Sequence, residues 1–197
     1  MGLPNFLSFI RIFITPIFMI LYLKGTYLGI SQMFLPYLLL FICVLSELSD
    51  AFDGYFARRF SQVTDLGKLL DPMADSVYRI SVFLTFTQPP VNLPVLIVFL
   101  FLARDSVIST LRTVCALRGF ALAARISGKL KAIFQGISTF IVLISMIFHS
   151  LNVISSQTLQ FIATFSVGIV ALYALASGIE YMWINRSYIK QLLKNQR

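Results

Sequence analysis

Acidic residues are concentrated in one short segment of this chain, at a spacing that suits a metal site. Six of the eight acidic residues lie between Glu47 and Asp75. Asp50 and Asp53 are three residues apart, which places them on one face of a helix. Asp71 precedes Asp75 by four residues, so this second pair also shares a face. Two helices joined by a short loop would therefore present four carboxylates to each other.

Four facing carboxylates cannot all remain ionised without compensating positive charge. Their hard oxygen ligands suit Mg²⁺ or Mn²⁺, and two such ions would clamp a diphosphate and stabilise the oxygen that leaves it. The competing interpretation is a structural set of salt bridges with Arg58, Arg59 and Arg79. The acids outnumber these arginines and share defined faces, which favours the metal site. No histidine cluster competes, because the single histidine of the chain is His149.

The composition places these acids in a membrane protein. The chain has 197 residues, of which 58% are hydrophobic and 12% are charged. A soluble domain carries about 25% charged residues, so too little polar material remains to cover a water-exposed surface. These figures exclude a disordered chain, a secreted disulfide scaffold and an ordinary cytosolic enzyme.

Runs without charged residues mark the membrane-spanning segments. They cover 25–46, 80–103 and 132–179, and a helix needs roughly 20 mostly apolar residues to cross the hydrocarbon layer. Prolines within 88–94 and polar residues within 149–157 divide two of these runs. We therefore predict an all-α integral membrane protein. Its six transmembrane helices are expected at approximately 6–24, 32–59, 67–87, 93–118, 127–149 and 157–184.

Basic residues alternate between the loops, and this alternation sets the orientation. They flank the predicted loops near residues 60 and 120 and fill the carboxyl-terminal tail, whereas the other loops have only Lys24 at one edge. Cytoplasmic loops carry the Lys and Arg excess, so both termini are predicted to be cytoplasmic. Residues 1–184 then form the membrane domain and residues 185–197 a basic cytoplasmic tail. Since the basic residues flank membrane spans, the net charge of +8 does not indicate nucleic-acid binding.

The acidic segment resembles the signature of the CDP-alcohol phosphatidyltransferases, D-x2-D-G-x2-A-R-x8-G-x3-D-x3-D. All eight fixed positions of this signature are present at the family's spacing, as Asp50, Asp53, Gly54, Ala57, Arg58, Gly67, Asp71 and Asp75. The resemblance extends over nearly the whole chain. It implies a multi-pass enzyme of the cell membrane with six helices, an active site at the cytoplasmic face, two divalent ions and, commonly, a homodimer.

The resemblance also implies a role for each matching residue. The residues that correspond to ligands of the two metal ions, Mg²⁺ or Mn²⁺, are Asp50, Asp53, Asp71 and Asp75. Asp75 corresponds to the catalytic base as well. The residues that correspond to contacts of CDP-diacylglycerol are Asp53, Gly54, Ala57, Arg58, Thr64 and Gly67. In the implied reaction an acceptor alcohol attacks the β-phosphate of CDP-diacylglycerol directly, and CMP leaves.

A second group of basic residues bears on the acceptor alcohol. Guanidinium forks bind phosphate through paired hydrogen bonds, and lysine adds a point charge. The candidate ligands of a phosphate on the acceptor are Arg104, Arg112, Lys129 and Lys131. Asp105 is a candidate ion-pair partner of Arg104 or Arg112, and Glu180 is a candidate partner of a basic residue.

Several further segments resemble the phosphatidylglycerophosphate synthases, the branch of the family whose acceptor is sn-glycerol 3-phosphate. They are residues 3–11, 67–75, 103–105 together with Arg112, and 127–131. The chain departs from that branch at Ser8, where threonine is usual, at Ser76, where lysine is common, and at Asp105, where glutamate is common.

Other acceptors and one other class of protein remain open at this point. Serine, inositol phosphate and phosphatidylglycerol are the alternative acceptors within the family, and serine would not require several phosphate-binding cations. A cation transporter is the alternative of a different class. It would distribute acids across the depth of the membrane, whereas here they gather at one end of two predicted helices.

Overall fold

The computed structural model is built of long α-helices. It describes the backbone of residues 3–60, 65–117 and 125–189, and the side chains of residues 13–49, 73–117 and 125–189. Within these residues there is no strand, and six helices have 21 to 29 residues each. They are α1 (Leu3–Lys24), α2 (Leu35–Phe60), α3 (Asp65–Thr85), α4 (Val95–Leu117), α5 (Ile126–Ser150) and α6 (Ser156–Ile184). The all-α fold class and the six predicted helices are confirmed, each predicted end lying within three residues of the observed one.

Local sequence explains where two of the helices stop and start. A Cβ atom on Gly25, directly after α1, would lie 2.4 Å from the carbonyl oxygen of Leu21 and 2.7 Å from Cδ1 of Leu35. Only glycine fits between α1 and the start of α2, because both contacts are far below van der Waals distance. At α6, the hydroxyl of Ser155 accepts a hydrogen bond of 3.2 Å from the backbone N–H of Thr158, which caps the helix.

The helices pack in pairs around an aromatic core. Helix α1 lies against α2 and α3, α4 lies against α3 and α6, and α5 lies against α2 and α6. The rings of Phe83 and Phe101 stack at a centroid distance of 5.1 Å and join α3 to α4. Phe18 of α1 meets Phe86 of α3 edge-on at 6.4 Å. Helix α3 thus packs directly against α1 and α4, and its Arg79 side chain reaches Glu47 of α2.

Apolar side chains cover much of the outer surface. On α6, Phe161, Phe165 and Leu172 are each more than 60% exposed, as expected of a surface that meets hydrocarbon rather than water. Among the described residues, α5 and α6 are long and apolar enough to cross a membrane. Shorter apolar stretches occupy Phe13–Lys24 of α1 and Leu35–Ser49 of α2. These stretches adjoin the connection between α1 and α2, so the acidic half of α2 lies toward the opposite end of the bundle.

Candidate active site

The signature is carried by the second half of α2 and the first half of α3. The backbone is helical at Asp50, Asp53, Gly54, Ala57, Arg58, Gly67 and Asp71, so the spacing does place its members on helix faces. The side chains of these seven residues lie outside the described ones, and Thr64 lies outside the described residues altogether. Their predicted roles in metal and CDP-diacylglycerol binding therefore stay predictions.

Asp75 is the signature residue whose side chain the structure describes, and it lies beside an arginine. One oxygen of Asp75 is 3.9 Å from Nη2 of Arg79, one helical turn later on α3. The other guanidinium nitrogen of Arg79, Nη1, is 4.0 Å from Oε1 of Glu47 on α2. Glu47 precedes Asp50 by three residues and so shares its helix face. Arg79 thus bridges the described ends of the two carboxylate faces.

Arg79 is also anchored to a third helix. Its Nη1 donates a short hydrogen bond to the backbone carbonyl of Ala132 on α5. Gly136, one turn later on α5, lies beside the pair: a Cβ there would be in ordinary van der Waals contact, 3.6 Å from Nη1 of Arg79 and 3.8 Å from Oε1 of Glu47. The arginine side chain is 12% exposed, while the carboxylates of Glu47 and Asp75 are each 31% exposed. The acids therefore keep access to solvent or ligand, and the arginine does not.

The donor chemistry of the predicted metal site suits the ions proposed for it. Carboxylate oxygens are hard ligands of the kind that Mg²⁺ and Mn²⁺ prefer. The described side chains contain no group of three or more acidic, histidine or cysteine residues close enough to hold a metal. That is consistent with the prediction, because three of its four ligands are outside the described side chains. Asp75 supplies the one described carboxylate of the set, which is partly accessible and lies 3.9 Å from Arg79.

A second polar cluster, the Asp105 cluster, joins α3, α4, α5 and α6. The Asp105 carboxylate accepts hydrogen bonds from Nζ of Lys131 at 2.6 and 2.7 Å, one to each oxygen. It also accepts from Nη1 of Arg104 at 3.1 Å and from the hydroxyl of Ser76 at 2.9 Å. Nη2 of Arg104 donates to the hydroxyl of Ser177 on α6 at 3.1 Å. The Asp105 cluster consists of Ser76, Arg104, Asp105, Lys131 and Ser177.

Gly178 lets Arg104 reach across this cluster, and Gly128 lies beside its guanidinium. A Cβ on Gly178 of α6 would lie 3.0 Å from Cγ of Arg104, so glycine gives the arginine stem its path. A Cβ on Gly128 of α5 would lie 3.8 Å from Nη2 of the same arginine. Among the described residues, Nε of Arg104 is buried with no hydrogen-bond partner. The guanidinium therefore retains one donor that the described fold does not satisfy.

The candidate phosphate ligands do not all meet. Arg104 and Lys131 converge on Asp105, so the predicted Arg104–Asp105 pair is confirmed and Lys131 is an additional partner. Arg112 instead donates from Nε to the hydroxyl of Tyr181 at 3.1 Å, with its guanidinium carbon 5.3 Å from that ring's centroid. Lys129 is exposed at the start of α5. In the described part of the chain, no hydrogen bond or ion pair joins Arg112 or Lys129 to the Asp105 cluster.

Helix α6 supplies partners that the sequence patterns did not single out. Ser177 binds Arg104, Tyr181 binds Arg112, and Gly178 gives Arg104 its space. Ser177 and Tyr181 are four residues apart, and this spacing indicates one polar face on an otherwise apolar helix. Glu180 pairs with Arg125 at 3.0 Å, which confirms its predicted ion-pair role. Both side chains of that pair are exposed, so it lies outside the buried site.

Comparison with known proteins agrees with the motif. A family model described as CDP-alcohol phosphatidyltransferase matches residues 1–183. The Bacillus subtilis protein named CDP-diacylglycerol–glycerol-3-phosphate 3-phosphatidyltransferase is 29% identical, over 96% of this chain and 97% of its own length. A protein of the same name from Aquifex aeolicus is 30% identical, over 92% of this chain and 94% of its own length. A Streptomyces coelicolor protein named cardiolipin synthase (CMP-forming) is 35% identical over 54% of this chain and 47% of its own length.

The family match and the structure cover the same part of the chain. The matched residues include the whole signature, the Asp105 cluster and all but the last residue of α6. Two apolar helices of membrane-crossing length lie within that match. The chain is thus a membrane enzyme that belongs to the CDP-alcohol phosphatidyltransferase family.

Proposed function

We propose that the protein transfers the phosphatidyl group of CDP-diacylglycerol to sn-glycerol 3-phosphate, giving phosphatidylglycerophosphate and CMP. Two relatives matched over more than nine-tenths of this chain are named for that reaction. The relative named cardiolipin synthase matches about half of this chain. The finer sequence resemblance, the relatives' names and the cationic cluster beside the signature all support a phosphorylated, water-soluble acceptor.

The observation that carries the acceptor assignment is the charge of the Asp105 cluster. It contains two cations, Arg104 and Lys131, and one carboxylate, and their side chains are 11%, 8% and 12% exposed. Burying a charge that lacks a counterion is costly, so the cluster as described favours an additional anion. A phosphate monoester satisfies both the excess charge and the unpaired Nε of Arg104. Serine is a zwitterion whose carboxylate is balanced by its own ammonium group, so it would not offset that excess charge.

In the proposed reaction the acceptor's hydroxyl oxygen forms a bond to the β-phosphorus of CDP-diacylglycerol. The bond from that phosphorus to the CMP oxygen breaks, and CMP leaves as an anion. Asp75 accepts the proton of the hydroxyl group as general base, and the β-phosphate stays on the lipid. Asp53, Gly54, Ala57, Arg58, Thr64 and Gly67 are proposed to bind CDP-diacylglycerol.

Two divalent ions, Mg²⁺ or Mn²⁺, are proposed to accompany this chemistry. The residues that would hold them are Asp50, Asp53, Asp71 and Asp75. When bound, such ions neutralise the charge that develops on the transferred phosphoryl group and on the departing CMP. The chain's own contribution is to gather the carboxylates on adjacent faces of α2 and α3 and to keep Asp75 oriented.

The arrangement in the membrane follows from the same residues. We propose that all six helices span the cell membrane, with both termini and the active site on the cytoplasmic side, as the Lys and Arg distribution indicates. Residues 1–184 would form the membrane domain and residues 185–197 a basic cytoplasmic tail. The lipid chains of CDP-diacylglycerol would remain in the bilayer while its headgroup enters the site. A homodimer is proposed on the family resemblance.

The reaction can be tested with purified protein in detergent. CDP-diacylglycerol and Mg²⁺ are supplied with glycerol 3-phosphate, serine, inositol phosphate or phosphatidylglycerol in separate reactions, and CMP release is measured. We expect CMP release with glycerol 3-phosphate, and a lipid product that carries a second phosphate. Release with another acceptor but none with glycerol 3-phosphate would contradict the proposal.

Arg112 lies outside the Asp105 cluster, and Arg112→Ala tests its proposed role as a further ligand of the acceptor phosphate. Removing a hydrogen bond to a charged group costs about 1.5–3 kcal/mol, so the KM for glycerol 3-phosphate is expected to rise roughly 10- to 100-fold. The KM for CDP-diacylglycerol should change less than about threefold, since Arg112 is assigned to the other substrate. Steady-state kinetics with each substrate varied in turn measures both constants.

Tyr181→Phe is the matched control for that substitution. It removes the hydroxyl that Arg112 binds but keeps the ring beneath the guanidinium. We expect this variant to retain a KM for glycerol 3-phosphate much closer to that of the native protein. Equal increases of both KM values in Arg112→Ala would argue against a role for Arg112 in binding the acceptor phosphate.

A further inference from the structure

Arg79 occupies the point at which the two halves of the signature and α5 converge. It contacts Asp75 on its own helix, Glu47 on α2 and the carbonyl of Ala132 on α5. These three groups come from three different helices, and the arginine side chain that joins them is 12% exposed. An exposed ion pair contributes little, but a buried arginine with a backbone anchor has a fixed position. The Arg79 guanidinium therefore has a fixed position beside the Asp75 carboxylate.

The contacts require the guanidinium shape as well as its charge. Nη1 donates a hydrogen bond to the carbonyl of Ala132 and lies near Glu47, while Nη2 lies near Asp75. A lysine ammonium is a single point charge on a flexible stem and cannot hold this fork geometry. The site is thus shaped for arginine at this position.

The charge of Arg79 has a second consequence for the proposed metal site. Neighbouring carboxylates repel one another unless a cation compensates them. Arg79 supplies such a cation between Glu47 and Asp75. The same positive charge opposes the approach of a divalent ion to Asp75. Arg79 should therefore stabilise the metal-free protein and weaken its affinity for metal at the same time.

We propose that Arg79 is a positioning residue for Asp75, which orients its carboxylate and compensates the acidic site in the absence of metal. The proposal rests on the assignment of Asp75 to the metal site and to the base role. It predicts that two substitutions of Arg79 will separate its effect on the orientation of Asp75 from the effect of its positive charge. Arg79→Met removes both, whereas Arg79→Lys keeps the charge and loses the fork.

The test combines kinetics with a measurement that does not depend on turnover. The thermal unfolding midpoint is recorded over a Mg²⁺ titration for the native protein and each variant, because a ligand that binds the folded state raises this midpoint. In Arg79→Met, the half-saturating Mg²⁺ concentration is expected to fall by about 3- to 10-fold, since the opposing charge is gone. Arg79→Lys should titrate like the native protein. Both variants should lose about 10- to 100-fold in kcat, with each KM within about threefold of native, because the misplaced base slows the chemical step.

Two further variants keep the inference testable if Arg79→Met does not fold. Glu47→Gln removes a negative charge beside the site, so its half-saturating Mg²⁺ concentration should rise instead of fall. Arg125→Met removes the exposed ion pair with Glu180 and should leave both kcat and the Mg²⁺ titration unchanged.

The outcomes separate this inference from the proposed reaction. A native kcat in Arg79→Met or in Arg79→Lys would overturn the positioning role. A Mg²⁺ titration of Arg79→Met identical to that of the native protein would overturn the charge role, whatever Glu47→Gln shows. If the native protein released no CMP with any acceptor, the proposed function would fail, while the unfolding titrations would still decide whether Arg79 acts on the acidic site.

Discussion

Asp75→Asn is expected to lower the rate of CMP release by about 10²- to 10⁴-fold, the usual contribution of a general base. Asparagine has nearly the same shape as aspartate, but its amide cannot accept the proton of the acceptor hydroxyl. The variant also loses one carboxylate from the proposed metal site, which adds to the loss. The Asp75 side chain is 31% exposed and 3.9 Å from Arg79, so the substitution should disturb the fold little. Initial rates of CMP release at saturating substrates measure the effect.

The control for Asp75→Asn is the same chemical change at an acid outside the signature. Asp65 lies in the acidic segment but at none of the eight fixed positions. Asp65→Asn should therefore release CMP at close to the native rate. The thermal unfolding midpoint of both variants is recorded beside their rates to exclude general unfolding. A rate for Asp75→Asn within about tenfold of native would contradict its assignment as base.

The helices could be predicted from the sequence because the membrane imposes a simple rule on it. An uncharged run of sufficient length has few alternatives to a helix in hydrocarbon, and loops between such runs are marked by proline or polar residues. This is why the connection containing 88–94 and the break at 149–157 were located correctly. The residue at which a helix ends depends on local contacts, such as the hydrogen bond from the backbone N–H of Thr158 to Ser155. Hydrophobic runs do not specify these contacts, and the predicted ends differ from the observed ones by up to three residues.

The site could be predicted only in part. Some of its features depend on residues close together in the sequence, and others depend on residues about 70 positions apart. The signature spacing acts within α2 and α3, and the helical backbone at those positions agrees with it. The partners of the basic residues come from far along the chain. Arg104 binds Ser177, 73 residues away, and Arg112 binds Tyr181, 69 residues away. Such contacts depend on how α4 packs against α6, which the periodicity of either helix alone does not specify.

Arg79 shows how two sequence interpretations can each be incomplete. The alternative to a metal site was a set of salt bridges that included Arg79, and the structure does place Arg79 beside Asp75 and Glu47. Yet one arginine faces two carboxylates there, with the remaining signature acids a turn or more away along the same helix faces. The other two arginines of that alternative, Arg58 and Arg59, have side chains outside the described ones. A salt bridge at Asp75 does not exclude metal binding there, and the metal site stays a prediction.

The Asp105 cluster leads to the prediction with the largest expected effect on stability. In Asp105→Asn, the cations of Lys131 and Arg104 would remain buried side by side without their shared carboxylate. Breaking a buried pair by removing one partner costs about 3–5 kcal/mol, because it leaves an uncompensated charge. The thermal unfolding midpoint in detergent should therefore fall by roughly 10 °C. Glu180→Gln makes the same acid-to-amide change in the exposed pair with Arg125 and should cost about 0–1 kcal/mol.

The same variant tests whether the cluster binds the acceptor's phosphate. If glycerol 3-phosphate places its anion against Arg104 and Lys131, it should replace part of the charge that Asp105→Asn removes. The acceptor should then raise the unfolding midpoint of Asp105→Asn by more than it raises that of the native protein. Glycerol, which has the same carbon skeleton without the phosphate, should raise neither. A midpoint for Asp105→Asn that glycerol 3-phosphate leaves unchanged would mean that the buried cations serve the packing of α4, α5 and α6, and that the acceptor binds elsewhere.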